Sequence, residues 1–212
     1  MYSEDKRAII KAALELKKNE LIALSGGNVS VRKENGDYIV TPSGMPYEEM
    51  NEDDLIVFNK EGEIIEGHRR PSVDTIALEY IYQNMPEVNA IIHTHQVYAT
   101  AAGLIADQLP VAVTTLSNVT LGAVNVAPYS NPGSLEMGIQ TVKYAEGKRA
   151  VILKHHGVVT IGANLKEALY AAVYMETAAK TYLVARAAGV PDLMNEEQNR
   201  QAVEVFMDYG QK

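Results

Sequence analysis

Two turn signals in the first third of the chain restrict what it can fold into. Asn28-Val29-Ser30-Val31-Arg32 and Asp37-Tyr38-Ile39-Val40-Thr41 flank Asn35-Gly36, a tight hairpin signal, and Leu55 to Phe58 and Glu63 to Ile65 bracket Lys60-Glu61-Gly62. Each pair reads as antiparallel strands. Helical spacing is interleaved with them. Ser3 is placed to cap a first helix with Ala8, Ile9, Ala12, Ala13 and Leu16 in phase, and a second helix from about Asp74 to Asn84 stops at Met85-Pro86. A helix near Gln96 to Leu104, short strands near Val111 to Thr114 and Ala123 to Ala127, and a helix after Pro132-Gly133 follow. A strand from Val151 to His156 and another from Val158 to Ile161 precede a long Ala-rich helix capped by Asn164, then a last helix from about Glu196 to Phe206. Hairpins alternating with helices predict an α/β chain of one domain over residues 1–212. Its αβα layers enclose a predominantly antiparallel central sheet, not a parallel nucleotide-binding one.

The apolar run Val88-Asn89-Ala90-Ile91-Ile92 reads as a buried strand, and it closes on His93 and His95. Residues i and i+2 of a strand share one face, so two imidazoles there can converge on one ion. A third imidazole can come from His155 or His156, between which strand parity does not choose, and a carboxylate from Asp74. Three neutral nitrogens and one anionic oxygen suit zinc, although imidazole also accepts iron, nickel or copper. The chain has no cysteine to compete for the role.

Charge narrows the partners. With 27 acidic against 19 basic residues the formal charge is −8, which repels nucleic acid and anionic membranes, and Lys17-Lys18 and Arg69-Arg70 are isolated pairs. Glu176, Lys180 and Arg186 interrupt the Ala-rich helix, so it is not expected to span a bilayer. A charged start without a signal-peptide core, together with the absence of cysteine, fits a soluble cytoplasmic protein.

Taken in order, Ser25-Gly26-Gly27-Asn28-Val29-Ser30-Val31-Arg32, Thr41-Pro42-Ser43-Gly44, Pro71-Ser72-Val73-Asp74, His93-Thr94-His95 and His156-Gly157 resemble the zinc-dependent class II aldolase and adducin-head family over nearly the whole chain. Within it the likeness is to L-fuculose-1-phosphate aldolases, with L-ribulose-5-phosphate 4-epimerases as near relatives. The resemblance implies one Zn2+ per chain on His93, His95 and His156, with Asp74 as resting ligand and as acid or base. It implies a phosphate pocket at Gly27, Asn28, Ser43, Gly44 and Ser72, and a homotetramer with fourfold symmetry and active sites between subunits. Small residues let backbone N–H groups approach an anion, which makes that pocket physically sensible. The implied reaction is reversible cleavage of a ketose 1-phosphate to dihydroxyacetone phosphate and a small aldehyde through a zinc-stabilised enediolate.

Three departures bear on the substrate. Asp74 stands where the family's aldolases carry glutamate, and Asp74-Thr75 matches the epimerases. Val73 replaces a phosphate-binding serine. Thr114 occupies the place of an interfacial tyrosine, while Tyr209 matches the aldolases' C-terminal tyrosine. An epimerase, a decarboxylase or dehydratase of the same family, and a non-catalytic adducin-head interaction module are the alternatives, the last being disfavoured by the complete histidine set.

Overall fold

The two expected hairpins form one half of a mixed sheet whose central strand carries His93, with His95 just past the end of that strand. A computed structural model describes residues 2–207. In chain order its elements are α1 (Ser3–Lys18), β1 (Asn28–Arg32), β2 (Tyr38–Val40), β3 (Ile56–Phe58), β4 (Ile64–Glu66), α2 (Thr75–Asn84), β5 (Ala90–Thr94) and α3 (Val97–Ile105). They continue with β6 (Gln108–Leu109), α4 (Thr114–Thr120), β7 (Val124–Ala127), α5 (Leu135–Ala145), β8 (Ala150–Leu153), β9 (Gly157–Gly162), α6 (Leu165–Ala188) and α7 (Glu196–Met207). Among the described residues the sheet order is β4-β3-β2-β1-β5-β9-β8-β7-β6, antiparallel at every pair except β7 with β8.

Strand alternation sorts the core into two faces. Val40, Ile56, Phe58, Ile91, Val151 and Val159 pack against α2 and α5, whereas Ile39, Val57, Ala90 and Ile92 meet α1 and the start of α6. Ile152 and Val158 join α3, α4 and α6 on that second face. The result is the expected three-layer αβα arrangement. Burial of Leu78 and Ile81 contributes roughly 1.5–3 kcal/mol each and anchors α2, whose N-cap is Asp74. His93 has the parity of Ile91 and therefore lies on the same face as α2.

Several expected local features differ. Tyr2, not Ser3, is the N-cap of α1: Tyr2 is buried with its hydroxyl on the Asp37 carboxylate, and its carbonyl accepts from Lys6 N at 2.9 Å. This tertiary anchor starts the helix one residue early. The first hairpin has a three-residue connection. Gly36 N–H donates to Lys33 O and Gly36 alone takes positive φ (+90°), the pattern of a turn followed by a bulge instead of a two-residue loop.

Val111 to Thr114 is not a strand. The β-branched run is overruled by Leu116, Val119 and Thr120, which recur at helical spacing and bury one side of α4; the Val111 carbonyl accepts from Met194 N instead of a strand. The edge strand is β6, two residues at Gln108–Leu109. The strand expected to end at His156 stops at Leu153. His156 N–H closes a turn onto Leu153 O at 3.1 Å, with His155 at φ +61°. Three residues of the isolated basic pairs form ion pairs, Lys17 with Glu48 at 2.5 Å, Lys18 with Glu15 at 3.8 Å and Arg69 with Asp54 at 2.8 Å. No described helix is long and apolar enough to cross a membrane.

Candidate metal centre and active site

β5 lies between β1 and β9, and its register places Asn28 and Val159 opposite His93. Two glycines permit the close approach around it. A Cβ on Gly27, which has φ +77°, would stand 2.3 Å from His93 O, and one on Gly157 would stand 2.3 Å from Thr94 O and 3.1 Å from His95 Cδ2. Neither position accepts a side chain without moving the strand that carries His93. Tyr47 fixes the first approach by donating to Gly27 O at 2.9 Å.

Within this frame His93, His95 and His156 bring one ring nitrogen each to within 4.8 Å of the others. His93 Nε2 and His95 Nε2 are 3.1 Å apart. His93 Nδ1 is 2.9 Å from Val158 O; a carbonyl only accepts, so Nδ1 carries the proton and Nε2 presents its lone pair to the cluster. His156 Nδ1 is buried without a hydrogen-bond partner among the described residues. The left-handed turn leaves His155 exposed and outside the cluster. Convergent nitrogens, a fixed tautomer and an orphaned ring atom fit a divalent metal, so this cluster could bind one.

Burial, followed by the neighbouring imidazoles His156 and His95, pushes His93 down to about 3. Burial also lowers His95 and His156, against an opposing pull from the Asp74 charge, so the three rings favour the neutral form that binds metal. In the metal-free protein this has a consequence for stability. Because the folded pKa of His93 lies below its unfolded value near 6.5, the unfolded chain takes up the proton first. Stability is full above about pH 6.5 and falls as pH drops towards 3, by on the order of 5 kcal/mol at full extent. Thermal melts of chelator-treated protein should therefore decline between pH 7 and 4, with a shallower slope in His93→Gln; identical slopes would remove His93 as the cause.

Asp74 is buried beside the cluster, outside the three-nitrogen group. Its Oδ2 accepts from Asn28 Nδ2 at 2.8 Å and its Oδ1 from the Gly133 N–H at 3.0 Å. Asn28 Nδ2 also donates to Ser72 Oγ at 3.1 Å. Ser43 and Gly44 lie on an exposed turn tied to this segment by Ser43 N–H to Arg70 O and by the Pro42–Pro71 bridge. Of the five expected pocket residues, Asn28 and Ser72 bond to one another and to Asp74, Gly27 precedes Asn28, and the Ser43–Gly44 turn is tied to the segment that leads to Ser72. Val73 is exposed. Thr114 begins α4 and lines a cavity of about 1390 Å³ with α6 and α7, a cavity that contains none of the three histidines. Tyr209 lies outside the described residues.

Sequence reasoning missed the Gly133 N–H on Asp74 and the Val158 carbonyl on His93. Both are backbone groups, so residue type gave no signal beyond Pro132-Gly133 marking a turn.

The chain matches the family model of the class II aldolase and adducin N-terminal domain over residues 7–183. It is 29% identical over 213 residues to 5-deoxy-D-ribulose 1-phosphate aldolase of Bacillus thuringiensis serovar kurstaki, covering 100% of both chains. It is 31% identical over 205 residues to L-fuculose phosphate aldolase of Escherichia coli O6:H1 strain CFT073, covering 96% of this chain and 94% of that one. A solved structure of an L-fuculose 1-phosphate aldolase superposes with a TM-score of 0.92 at 32% identity, covering 98% of each chain. The chain belongs to the class II aldolase and adducin N-terminal domain family, and by sequence and fold it is a class II aldolase, a lyase.

Proposed function

We propose that this protein reversibly cleaves a ketose 1-phosphate to dihydroxyacetone phosphate and a small aldehyde. The observation that carries the reading is the adjacency of a neutral three-histidine cluster to a buried, doubly hydrogen-bonded carboxylate, Asp74. His93, His95 and His156 would hold the metal, and zinc suits a site of imidazole nitrogens with a nearby carboxylate. Such an ion supplies Lewis-acid stabilisation of negative charge developing on ketose oxygens, a contribution of several kcal/mol.

The remaining work falls to the chain's own residues. As the bond between the third and fourth ketose carbons breaks, the electron pair stays on the fragment bearing the carbonyl, and the fourth-carbon hydroxyl loses its proton to become the aldehyde. Asp74 delivers a proton to the third carbon, and in the synthetic direction removes it; a positioned carboxylate contributes roughly a hundredfold or more to such a step. Tyr209 is assigned the proton at the aldehyde oxygen on resemblance alone. Ser72 and the backbone around Gly27, Ser43 and Gly44 would cradle the phosphate, with Asn28 beside them.

The working unit in this reading is a homotetramer with sites completed between subunits. Exposed Val97, Leu104 and Ile105 on α3 support burial of that helix against another copy. Relatives acting on both 5-deoxy-D-ribulose 1-phosphate and L-fuculose phosphate, at similar identity, support the ketose 1-phosphate class and leave the aldehyde fragment to experiment. The decisive experiment is a screen of ketose 1-phosphates with coupled detection of dihydroxyacetone phosphate, run on zinc-loaded protein sedimenting near four chains. Fragment release is expected. Conversion of ketose 5-phosphates to epimers without fragment release would instead identify a 4-epimerase.

A further inference from the structure

His95 depends for its place on what holds the two ends of a short bridge. β5 stops at Thr94 and α3 starts at Val97, so His95 and Gln96 join them outside both elements. The Val158 carbonyl fixes the ring of His93, whereas the ring of His95 lies between two glycines: a Cβ on Gly26 would stand 3.1 Å from its Nδ1, and one on Gly157 3.1 Å from its Cδ2. Neither glycine has a side chain to hold the ring. Gln96 stands at the N-cap of α3, yet its side chain caps nothing there. It is fully buried, with Oε1 accepting from Thr94 Oγ1 at 2.6 Å and Nε2 donating to Ala172 O at 3.4 Å.

The missing cap comes from α6. Glu176 Oε1 accepts from the Tyr98 N–H at 2.7 Å and Oε2 from the Ala99 N–H at 2.9 Å, two of the first-turn donors that a helix cannot satisfy by itself. The carboxylate also places negative charge at the positive end of the helix dipole. Ala172, Glu176 and Lys180 are spaced four apart and form one stripe along α6, and each meets the segment after His95. Ala172 does so through Gln96, Glu176 through Tyr98 and Ala99, and Lys180 with its ammonium 5.1 Å from the centre of the Tyr98 ring. A serine or aspartate at the cap position would tie α3 only to itself. A cap reaching across from α6 ties the far end of the His95 bridge to the helix that packs on β5 and β9. We infer that Glu176 is a positioning residue for the metal centre: it fixes the start of α3 so that the His95 ring meets those of His93 and His156. The consequence for metal rests on the three histidines being ligands, whereas the placement of His95 does not.

Three readouts on the full chain test this. Zinc affinity is measured by competition with a chromophoric chelator. With Co2+ in place of zinc, the visible absorption bands report ligand geometry. In metal-free protein, NMR follows the histidine Cε1–H signals, assigned with His95→Ala and His155→Ala. Glu176→Ala should lower zinc affinity about tenfold, the lower end of what losing a supporting group costs a metal site, and should alter the Co2+ bands. It should also move or broaden the His95 signal while that of exposed His155 stays. Glu176→Gln should fall between, because an amide has one oxygen and keeps one of the two bonds. A cap that served stability alone would lower the melting temperature in both variants with zinc affinity, Co2+ bands and His95 signal unchanged, and that result overturns the inference. A lowered affinity with the His95 signal unmoved overturns it equally. Should Glu176→Ala fail to fold, Glu176→Gln carries all three readouts. If the wild-type protein takes up neither ion, the metal reading fails by itself, and the His95 signal in Glu176→Gln still decides whether Glu176 places the ring.

Discussion

Replacing His93, His95 or His156 singly by alanine is expected to empty the metal site, while His155→Ala keeps it filled. The wild-type protein should carry about one divalent ion per chain. Each of the three rings offers one nitrogen to a cluster spanning no more than 4.8 Å, so losing any one leaves two protein donors against water. Affinity should then fall by more than about a hundredfold, beyond what loss of a supporting hydrogen bond costs. His155 is adjacent in sequence yet points to solvent from a left-handed turn, and its removal touches no member of the cluster. Metal analysis after exhaustive dialysis reads the result directly. Metal retained in His156→Ala and lost in His155→Ala would mean that the turn presents the other ring.

The contrast between those two histidines shows where sequence reading reaches its limit. His93 was legible because an apolar run fixes its strand, and His95, although one residue past the end of β5, still brings its ring to the same cluster. Strand reading fails at residues 155 and 156, since the chain has left the strand at Leu153 and the turn sets the directions. Only the family resemblance selected His156. The hairpins of the first half were legible for a similar reason, each being local alternation around a turn. The strand expected at Val111 to Thr114 was not there because packing of Leu116 and Val119 against the rest of the core outweighed a run of β-branched residues. Ser72, Asp74 and Asn28 could be chosen by motif. That one amide holds the other two, with Gly133 N–H closing the far side of Asp74, depends on strand register and loop course that no short motif encodes.

Asp74→Asn should retain most of the metal, because the three histidines remain, yet lower turnover by at least about a hundredfold through loss of the proton-transfer group. The substitution has a second, smaller effect. In wild type both carboxylate oxygens accept, one from Asn28 and one from Gly133. An asparagine offers one acceptor and one NH2, so one of those donors faces another donor, at a cost of about 1–3 kcal/mol in stability. A variant that is folded, metal-loaded and modestly less stable, but nearly inactive, is the expected combination. Wild-type turnover in Asp74→Asn would remove Asp74 from the reaction.

Hydrogen exchange at dihydroxyacetone phosphate tests the proposed chemistry most directly, because it needs the metal, the carboxylate and the phosphate pocket but not the unidentified aldehyde. Zinc-loaded protein incubated with dihydroxyacetone phosphate alone in D2O should replace one hydrogen of the hydroxymethyl carbon, followed by NMR. That exchange should disappear with chelator and in Asp74→Asn. Exchange that proceeds undiminished in metal-loaded Asp74→Asn, or its absence in an enzyme that cleaves ketose 1-phosphates, would contradict proton transfer by Asp74 at that carbon.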